Sequence, residues 1–297
     1  MLDLTRLRLL RELAHHGTMI AVAASCGLTA SAVSQQIATL EREARVALLE
    51  RVGRRVRLTA EGARLVVHAQ AILQAVEAAE LDLRAAGESP RGVIEIGCFP
   101  SFAKARLLPA VVRARDRFPG LQVIIHELEP VDAIEAVREG RCHLAVSFTY
   151  NLALRPDVAG LISQELMEEA VLLALPESWR AEREPIDLAR LAQEDWIVGS
   201  RQPDDRRLAE RACAVAGFVP RITHTVDDYD LMLRMVSAGF GIGFIPALGL
   251  GFPSAEAVAV QVPGGPPLCR RIHAVTRRAL AASPSVRALL SELVNTG

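Results

Sequence analysis

The chain has 297 residues, enough for about two domains of roughly 150 residues each. Hydrophobic residues make up 51% and charged residues 23%, a globular balance that excludes a disordered or collagen-like chain. With 34 basic and 35 acidic residues the formal net charge is −1, so no overall field attracts polyanions or membranes, and any nucleic-acid surface must be local. Charge is uneven along the chain: residues 1–65 carry ten arginines against six carboxylates, a net of +4, while residues 92–297 carry 22 basic against 25 acidic groups, a net of −3.

Within the basic end, apolar residues recur at helical spacing in three short segments: Leu4, Leu7, Leu10 and Leu13; Ile20 to Ala24; then Val33, Ile37 and Leu40. Between the second and third, Gly27 is placed to end one helix in a left-handed conformation and Thr29 to cap the next, which is helix-turn-helix spacing. Residues 51–59 then set Arg51, Arg54, Arg55 and Arg57 around Gly53 in a β-like alternation, a small basic wing. Thr59 caps a long helix whose apolar residues, Leu65, Ala69, Ile72, Val76, Ala79 and Leu83, step by 4, 3, 4, 3, 4. Such a heptad seam calls for a partner, and an identical helix from a second subunit is the simplest one. Residues 85–92 (AAGESPRG) break this helix as a linker.

Beyond residue 92, short apolar runs at 93–99, 121–126, 143–148, 171–175, 196–199, 221–225 and 241–244 alternate with helical stretches at 103–117, 131–139, 205–216 and 228–238, which predicts α/β sheets with crossover helices. Five cysteines, Cys26, Cys98, Cys142, Cys213 and Cys269, lie far apart with no C-x-x-C pair, which argues against a disulfide framework or zinc knuckle and for a reducing cytoplasm. No secretory signal is readable in the first residues, and the uncharged run 235–255 holds five glycines and two prolines, the mark of buried α/β core rather than a membrane span.

Motifs of catalysis are missing. The single lysine, Lys104, has no glycine cradle, so there is no P-loop; Gly239, Gly241 and Gly243 are followed by Phe244 where a dinucleotide fingerprint needs its third glycine. Neither H-E-x-x-H nor G-x-S-x-G occurs, and the seven histidines form no i, i+4 metal pair. The acid pairs Asp204–Asp205 and Asp227–Asp228 open predicted helices, where carboxylates cap amides, and that structural role outweighs acid–base chemistry. Cys98 and Cys142 fall in strands that could be neighbours, but buried thiols are usually inert. No catalytic residue, metal or cofactor is expected.

On a helix from Ala30 to Arg45, the inward set Val33, Ile37 and Leu40 leaves Ser31, Ser34, Gln35 and Ala38 on the opposite face, with Thr29 at its start. Gln bonds adenine N6 and N7 together, Ser takes phosphate or base edges and Ala touches a thymine methyl. Arg54, Arg55 and Arg57 of the wing supply phosphate or minor-groove contacts. The stretch TASAVSQQIATLE (29–41), followed by LLER (48–51) and GRRVRLTAEG (53–62), resembles the winged helix-turn-helix of LysR-type transcriptional regulators. The segments GRCHLAV (140–146) and VSAGFGIG (236–243) are similar to the same family's effector domain. Departures are Arg45 where Gly is usual, Leu49 for Phe, His143 for Asp, Ala30 for Gln and Gln35 for Arg, so operator preference does not carry over.

The resemblance implies three parts: a DNA-binding domain at 1–65, a linker and dimerisation helix with its hinge at 66–91, and a periplasmic-binding-protein-like effector domain at 92–297. The last divides into subdomain I, 92–163 with 268–297, and subdomain II, 164–267. It also implies an effector cleft, for which strand ends and helix starts offer Pro100, Ser101, Phe102, Phe148, Thr149, Gly199, Ser200, Arg201 and Thr225. Such positions favour anions, and Ser101 is the strongest because its hydroxyl starts a helix. The expected protein is thus a cytoplasmic, ligand-responsive regulator and not an enzyme. Its expected partners are double-stranded DNA, a small-molecule effector and copies of itself, as a dimer and by family a tetramer, with RNA polymerase admissible and no membrane. Two alternatives stay open: a small-molecule binding protein or enzyme whose N-terminal helices only mediate assembly, and a purely architectural DNA binder.

Overall fold

The computed structural model describes residues 1–52, 55–85, 90–152, 157–199, 203–251 and 253–294, and the chain forms two compact units, Met1–Ala86 and Gly87–Gly297. In the first unit α1 (Leu4–His16), α2 (Met19–Cys26) and α3 (Ala30–Ala44) are each capped by a short polar side chain: Asp3 accepts from Arg6 N, Thr18 from Ala21 N and Thr29 from Ala32 N. Gly17 and Gly27 close α1 and α2 in the left-handed region, which costs glycine little. Helices α2 and α3 meet at 104°, within the helix-turn-helix range. Their shared core is Leu7, Leu10, Leu13, Val22, Val33, Ile37, Leu40 and Leu48.

Arg45 ends α3 at φ +57, so an arginine holds a turn that glycine would occupy without strain. Directly after it, the Glu41 carboxylate accepts from the amides of Leu48 and Leu49 at 2.8 and 3.0 Å and fixes where the wing begins. The wing is an antiparallel pair, β1 (Leu49–Val52) and β2 (Arg55–Leu58). Thr59 then caps α4 (Ala60–Ala85) by accepting from Gly62 N, while its own hydroxyl donates to Ala47 O. A Cβ at Gly62 would run into the Leu48 carbonyl, so the start of α4 can lie on the wing only through glycine. The heptad seam divides here: Ala69 is fully buried and Leu65 packs on the unit's own core, whereas Ile72 and Ala79 are exposed and Val76 half-buried. The Leu83 side chain lies outside the described residues.

The second unit opens with β3 (Gly92–Cys98), which pairs in parallel with β4 (Leu121–Glu127) and β5 (Leu144–Tyr150). Crossovers run through a short helix α5 (Pro100–Phe102), a π turn (Ala103–Leu107) and α6 (Leu108–Arg117), then through α7 (Pro130–Arg138). All seven residues of β5 are buried, as a strand covered on both faces requires. The second lobe carries the end of β6 (Leu161–Leu175), β7 (Asp195–Val198), α8 (Pro203–Val215), β8 (Arg221–Thr225), α9 (Tyr229–Ser237), β9 (Gly243–Pro246) and β10 (Ala259–Gln261). The chain returns through β11 (Cys269–Arg277) to α10 (Pro284–Val294).

Two strands join the lobes. The first half of β6 pairs with β11, its second half with β9 and β10, and β11 pairs on its other edge with β5. Apolar periodicity registers only the second half of β6 and none of β11, because the first carries Glu165, Glu168 and Glu169 and the second Arg270, Arg271, His273 and Arg277. Glu169, Arg270 and Arg277 are nevertheless buried. Among the described residues no single helix is long and apolar enough to cross a membrane.

Candidate nucleic-acid interface and ligand cleft

Helix α3 turns Val33, Ile37 and Leu40 into the core, and Ser31, Ser34, Gln35 and Ala38 stand exposed on the other side. Thr29 is used by the fold as well as offered to solvent: its hydroxyl caps Ala32 N at 3.2 Å and lies 3.1 Å from the Ser31 hydroxyl. Arg57 on β2 is exposed opposite Glu50. Arg54 lies outside the described residues, as does the side chain of Arg55.

In the second unit a cavity of about 150 Å³ opens between the lobes. One wall is Phe99, Pro100 and Ser101 after β3, with Phe148 from β5; the other is Asp205 in the first turn of α8 and Asp227 to Tyr229 at the start of α9. Arg270 of the crossing strand β11 forms the floor, 1% exposed. Its Nε donates to Glu169 Oε1 at 2.7 Å, one Nη approaches the same oxygen at 2.5 Å, and that Nη donates to the Ser101 hydroxyl at 3.1 Å. The guanidinium also lies 4.9 Å from the Phe99 ring centre and 4.7 Å from that of Phe148. Burial alone would lower the Arg270 pKa, but the nearby Tyr229, Tyr150 and Glu169 outweigh it and hold the group protonated. The other Glu169 oxygen accepts from Leu248 N at 2.7 Å, so this buried pair ties both lobes to the crossing strands.

Across the cavity the Tyr150 hydroxyl donates to Asp205 Oδ1 at 2.7 Å. Burial pushes the Asp205 carboxyl above its ordinary range, against the Tyr150 hydrogen bond and Arg270; Asp227 and Asp204 add to the rise. Burial likewise raises the Tyr150 and Tyr229 hydroxyls, with Asp205 reinforcing it.

The expected effector residues divide under this geometry. Pro100, Ser101 and Phe148 line the cavity, and Gly199 lines a smaller recess behind it that Asp205, Asp227 and Tyr229 share. Phe102 is buried beneath the wall, Thr149 is buried on β5 opposite Arg271, and Thr225 is exposed at the end of β8; none of the three is a lining residue. Ser200 and Arg201 lie outside the described residues. Ser101 does not start its helix: Phe99 holds the cap position without a side-chain bond, and the Ser101 hydroxyl accepts from Arg270 instead. Asp205, Tyr229, Arg270 and Glu169 were not expected in the site. Asp205 sits in the first turn as an acid pair should, but its carboxylate turns to Tyr150 and the cavity; only Asp228 of the second pair caps, accepting from Leu231 N at 2.8 Å. Cys98 and Cys142 are both buried thiols whose pKa burial pushes up, to about 11 for Cys142.

A winged helix-turn-helix with an exposed polar helix face, followed in the same chain by an α/β unit folded around a small polar cleft, defines a DNA-binding regulator with a ligand-binding module. Comparison with known proteins identifies which kind. Residues 87–297 match the LysR substrate binding domain and residues 4–63 match the lysR family of bacterial regulatory helix-turn-helix proteins, so the chain belongs to the LysR family of transcriptional regulators. It is 28% identical to the transcriptional dual regulator GltC of Bacillus subtilis over 247 residues, covering 82% of this chain and 81% of that protein. Its fold is similar to that of a full-length cysteine-to-aspartate variant of OxyR from Pseudomonas aeruginosa, with a TM-score of 0.73 at 19% identity, covering 99% of this chain and 98% of the other. It is also similar to full-length CbnR complexed with its target DNA, with a TM-score of 0.61 at 23% identity and 99% of each chain covered.

Proposed function

We propose that this regulator reads a specific duplex site with α3 and adjusts that binding to a small metabolite held in the cleft of the second unit. The observation that carries the proposal is the pairing of an exposed, uncharged polar face on α3 with a basic wing on one unit and a built polar cavity on the other. Gln35 is assigned the bidentate base contact, Ser31, Ser34 and Ala38 flanking contacts in the major groove, Thr29 a phosphate, and Arg54, Arg55 and Arg57 phosphate or minor-groove contacts. Pro100, Ser101 and Phe148 are assigned to the effector, with Arg270 and Asp205 joining them. The half-exposed later part of the α4 seam supports a dimer through that helix, and family membership supports a tetramer and contact with RNA polymerase.

The proposed mechanism is a shift of subdomain I (92–163, 268–297) against subdomain II (164–267) on effector binding, which changes the spacing of paired winged helices and so the DNA bend. The proposed compartment is the cytoplasm, where the chromosome lies, and the proposed action is binding rather than catalysis. A metabolite is favoured over an oxidant as the signal because burial pushes the thiols of Cys98, Cys142 and Cys213 upward, Cys213 to about 12, which keeps them as poorly nucleophilic thiols.

Selection of bound sequences from a random duplex pool by the full chain, beside Gln35→Ala, tests the DNA reading. An enriched, near-palindromic site with steep salt dependence, altered by the substitution, is the expected result. No enrichment and no salt-dependent binding would sink it.

A further inference from the structure

The charge of the cleft is opposite to what an anion receptor needs. Five described lining residues are carboxylates: Glu127, Glu129, Asp205, Asp227 and Asp228. Against them stand two cations, Lys104 and Arg270. The second is already matched, since Glu169 lies beneath it within hydrogen-bond reach of two of its nitrogens. Lys104, Glu127 and Asp228 stand at the exposed mouth and Arg270 lies buried at the floor, so the excess of carboxylates repels an entering anion and attracts an entering cation, most strongly toward the buried end.

The remaining walls suit the carbon skeleton of such a cation. Phe99 and Phe148 meet edge to face with centres 4.9 Å apart, and Tyr229 faces the same space. At about 150 Å³ the cavity is well below the roughly 300–1,000 Å³ of pockets that take drug-sized ligands, which limits the occupant to a small molecule.

We propose that the effector is a small organic cation whose protonated amine is held by Asp205 and Asp227, with its carbon chain against Phe99, Phe148 and Tyr229. The proposal rests on the cleft being the effector site and names the chemistry that site selects. Asp205 is the specificity-determining residue, because Tyr150 fixes one of its oxygens and leaves the carboxylate presented to the cavity. Burial above all, with the neighbouring Asp227 and Asp204, raises its affinity for a proton against the Tyr150 hydrogen bond and Arg270, and a bound ammonium would favour the ionised form.

The test follows the melting of the full chain, at constant ionic strength, with four probes of matched carbon number: 1,4-diaminobutane, butylamine, succinate and butyrate. The same titrations are made with Asp205→Asn and Asp227→Asn; the first keeps an acceptor for Tyr150, and unliganded melting reports whether each variant is folded. The expected result is a rise of roughly 5 °C with saturating amine and none with the acids, and an apparent affinity at least tenfold weaker in both variants. Stabilisation by the acids alone overturns the proposal while leaving the cleft as the sensor. Equal stabilisation of the variants by amines, or no shift with any probe, also overturns it. Amine binding that depends on Asp205 but leaves affinity for the selected operator unchanged keeps the cation site and removes the sensor reading.

Discussion

Helix α3 and the cleft both expose polar side chains, but the two surfaces are held together in different ways. On α3, Ser31, Ser34, Gln35 and Ala38 stand in water on a helix that Val33, Ile37 and Leu40 anchor from the other side, so each can change without disturbing the fold. In the cleft, Arg270 is simultaneously the floor of the cavity, the counter-charge of Glu169, a donor to Ser101 and a plate against two phenylalanines. Recognition and stability are therefore separable in the first region and fused in the second. The exposed face of α3 can be altered one residue at a time, whereas the cleft can be altered only by rebuilding a buried network.

The sharpest way to break this contrast is Arg270→Met. Removing one partner of a buried ion pair leaves Glu169 desolvated and unmatched, at an expected cost of about 3–5 kcal/mol. Urea denaturation measures it; Arg270→Met combined with Glu169→Gln should recover a large part. A cost below about 1 kcal/mol for the single change would show that the network holds nothing.

Gln35→Ala is the counterpart in the other region. It should weaken binding to the selected operator by about 1–3 kcal/mol and relax preference at one base pair. Stability should stay within about 0.5 kcal/mol, as for an exposed residue. Loss of binding accompanied by loss of melting temperature would erase the distinction.

A smaller effect sharpens the electrostatics of the cleft. A carboxyl whose folded pKa lies above its unfolded value binds more proton when folded, so it contributes stability at low pH that fades as pH rises through the folded pKa. The Asp205 contribution should therefore fall as pH rises from the ordinary aspartate range to the raised folded pKa, and it is read as the difference in pH slope between the unliganded protein and Asp205→Asn. A difference of opposite sign would mean that Asp205 is held as a well-matched carboxylate, contrary to its surroundings.

Two further changes on the basic unit are expected to be mild. Arg57→Ala should lower the salt exponent of DNA binding by about 1 without shifting sequence preference, as loss of a phosphate contact does. Arg45→Gly relieves a left-handed arginine at φ +57 and should raise stability by no more than about 1 kcal/mol, read from the melting of the winged unit.

The exposed face of α3 was legible in the residues because everything that makes it is local. Thr29 caps its own helix, apolar spacing sets the buried side within 15 residues, and the exposed side is what remains. The wing was legible for the same reason, since β1 and β2 pair antiparallel and follow each other closely along the chain. The seam of α4 was legible as a pattern but not as a contact: Ala69 and Leu65 are claimed by the core of their own unit, and only the later positions are left for a partner. The cleft was half legible. Strand ends pointed to Ser101 and Phe148, yet the acid pair at 204–205 was read as helix chemistry, and Arg270 sat in a charged run with no apolar signature at all.

What the sequence determined by itself is the order of the parts: helix-turn-helix, wing, long helix and α/β unit, together with the residues on one side of α3; part of the expected linker at 85–92 lies outside the described residues. These follow from periodicity, caps and turn residues acting over a few positions. What only the tertiary structure decided is the sign and membership of the cleft, where Ser101, Phe148, Glu169, Asp205, Tyr229 and Arg270 meet from six separate segments. No short-range rule links residues 101 and 270; they become neighbours because β11 crosses back beside β5, and a buried charge is tolerable only where that crossing delivers its partner.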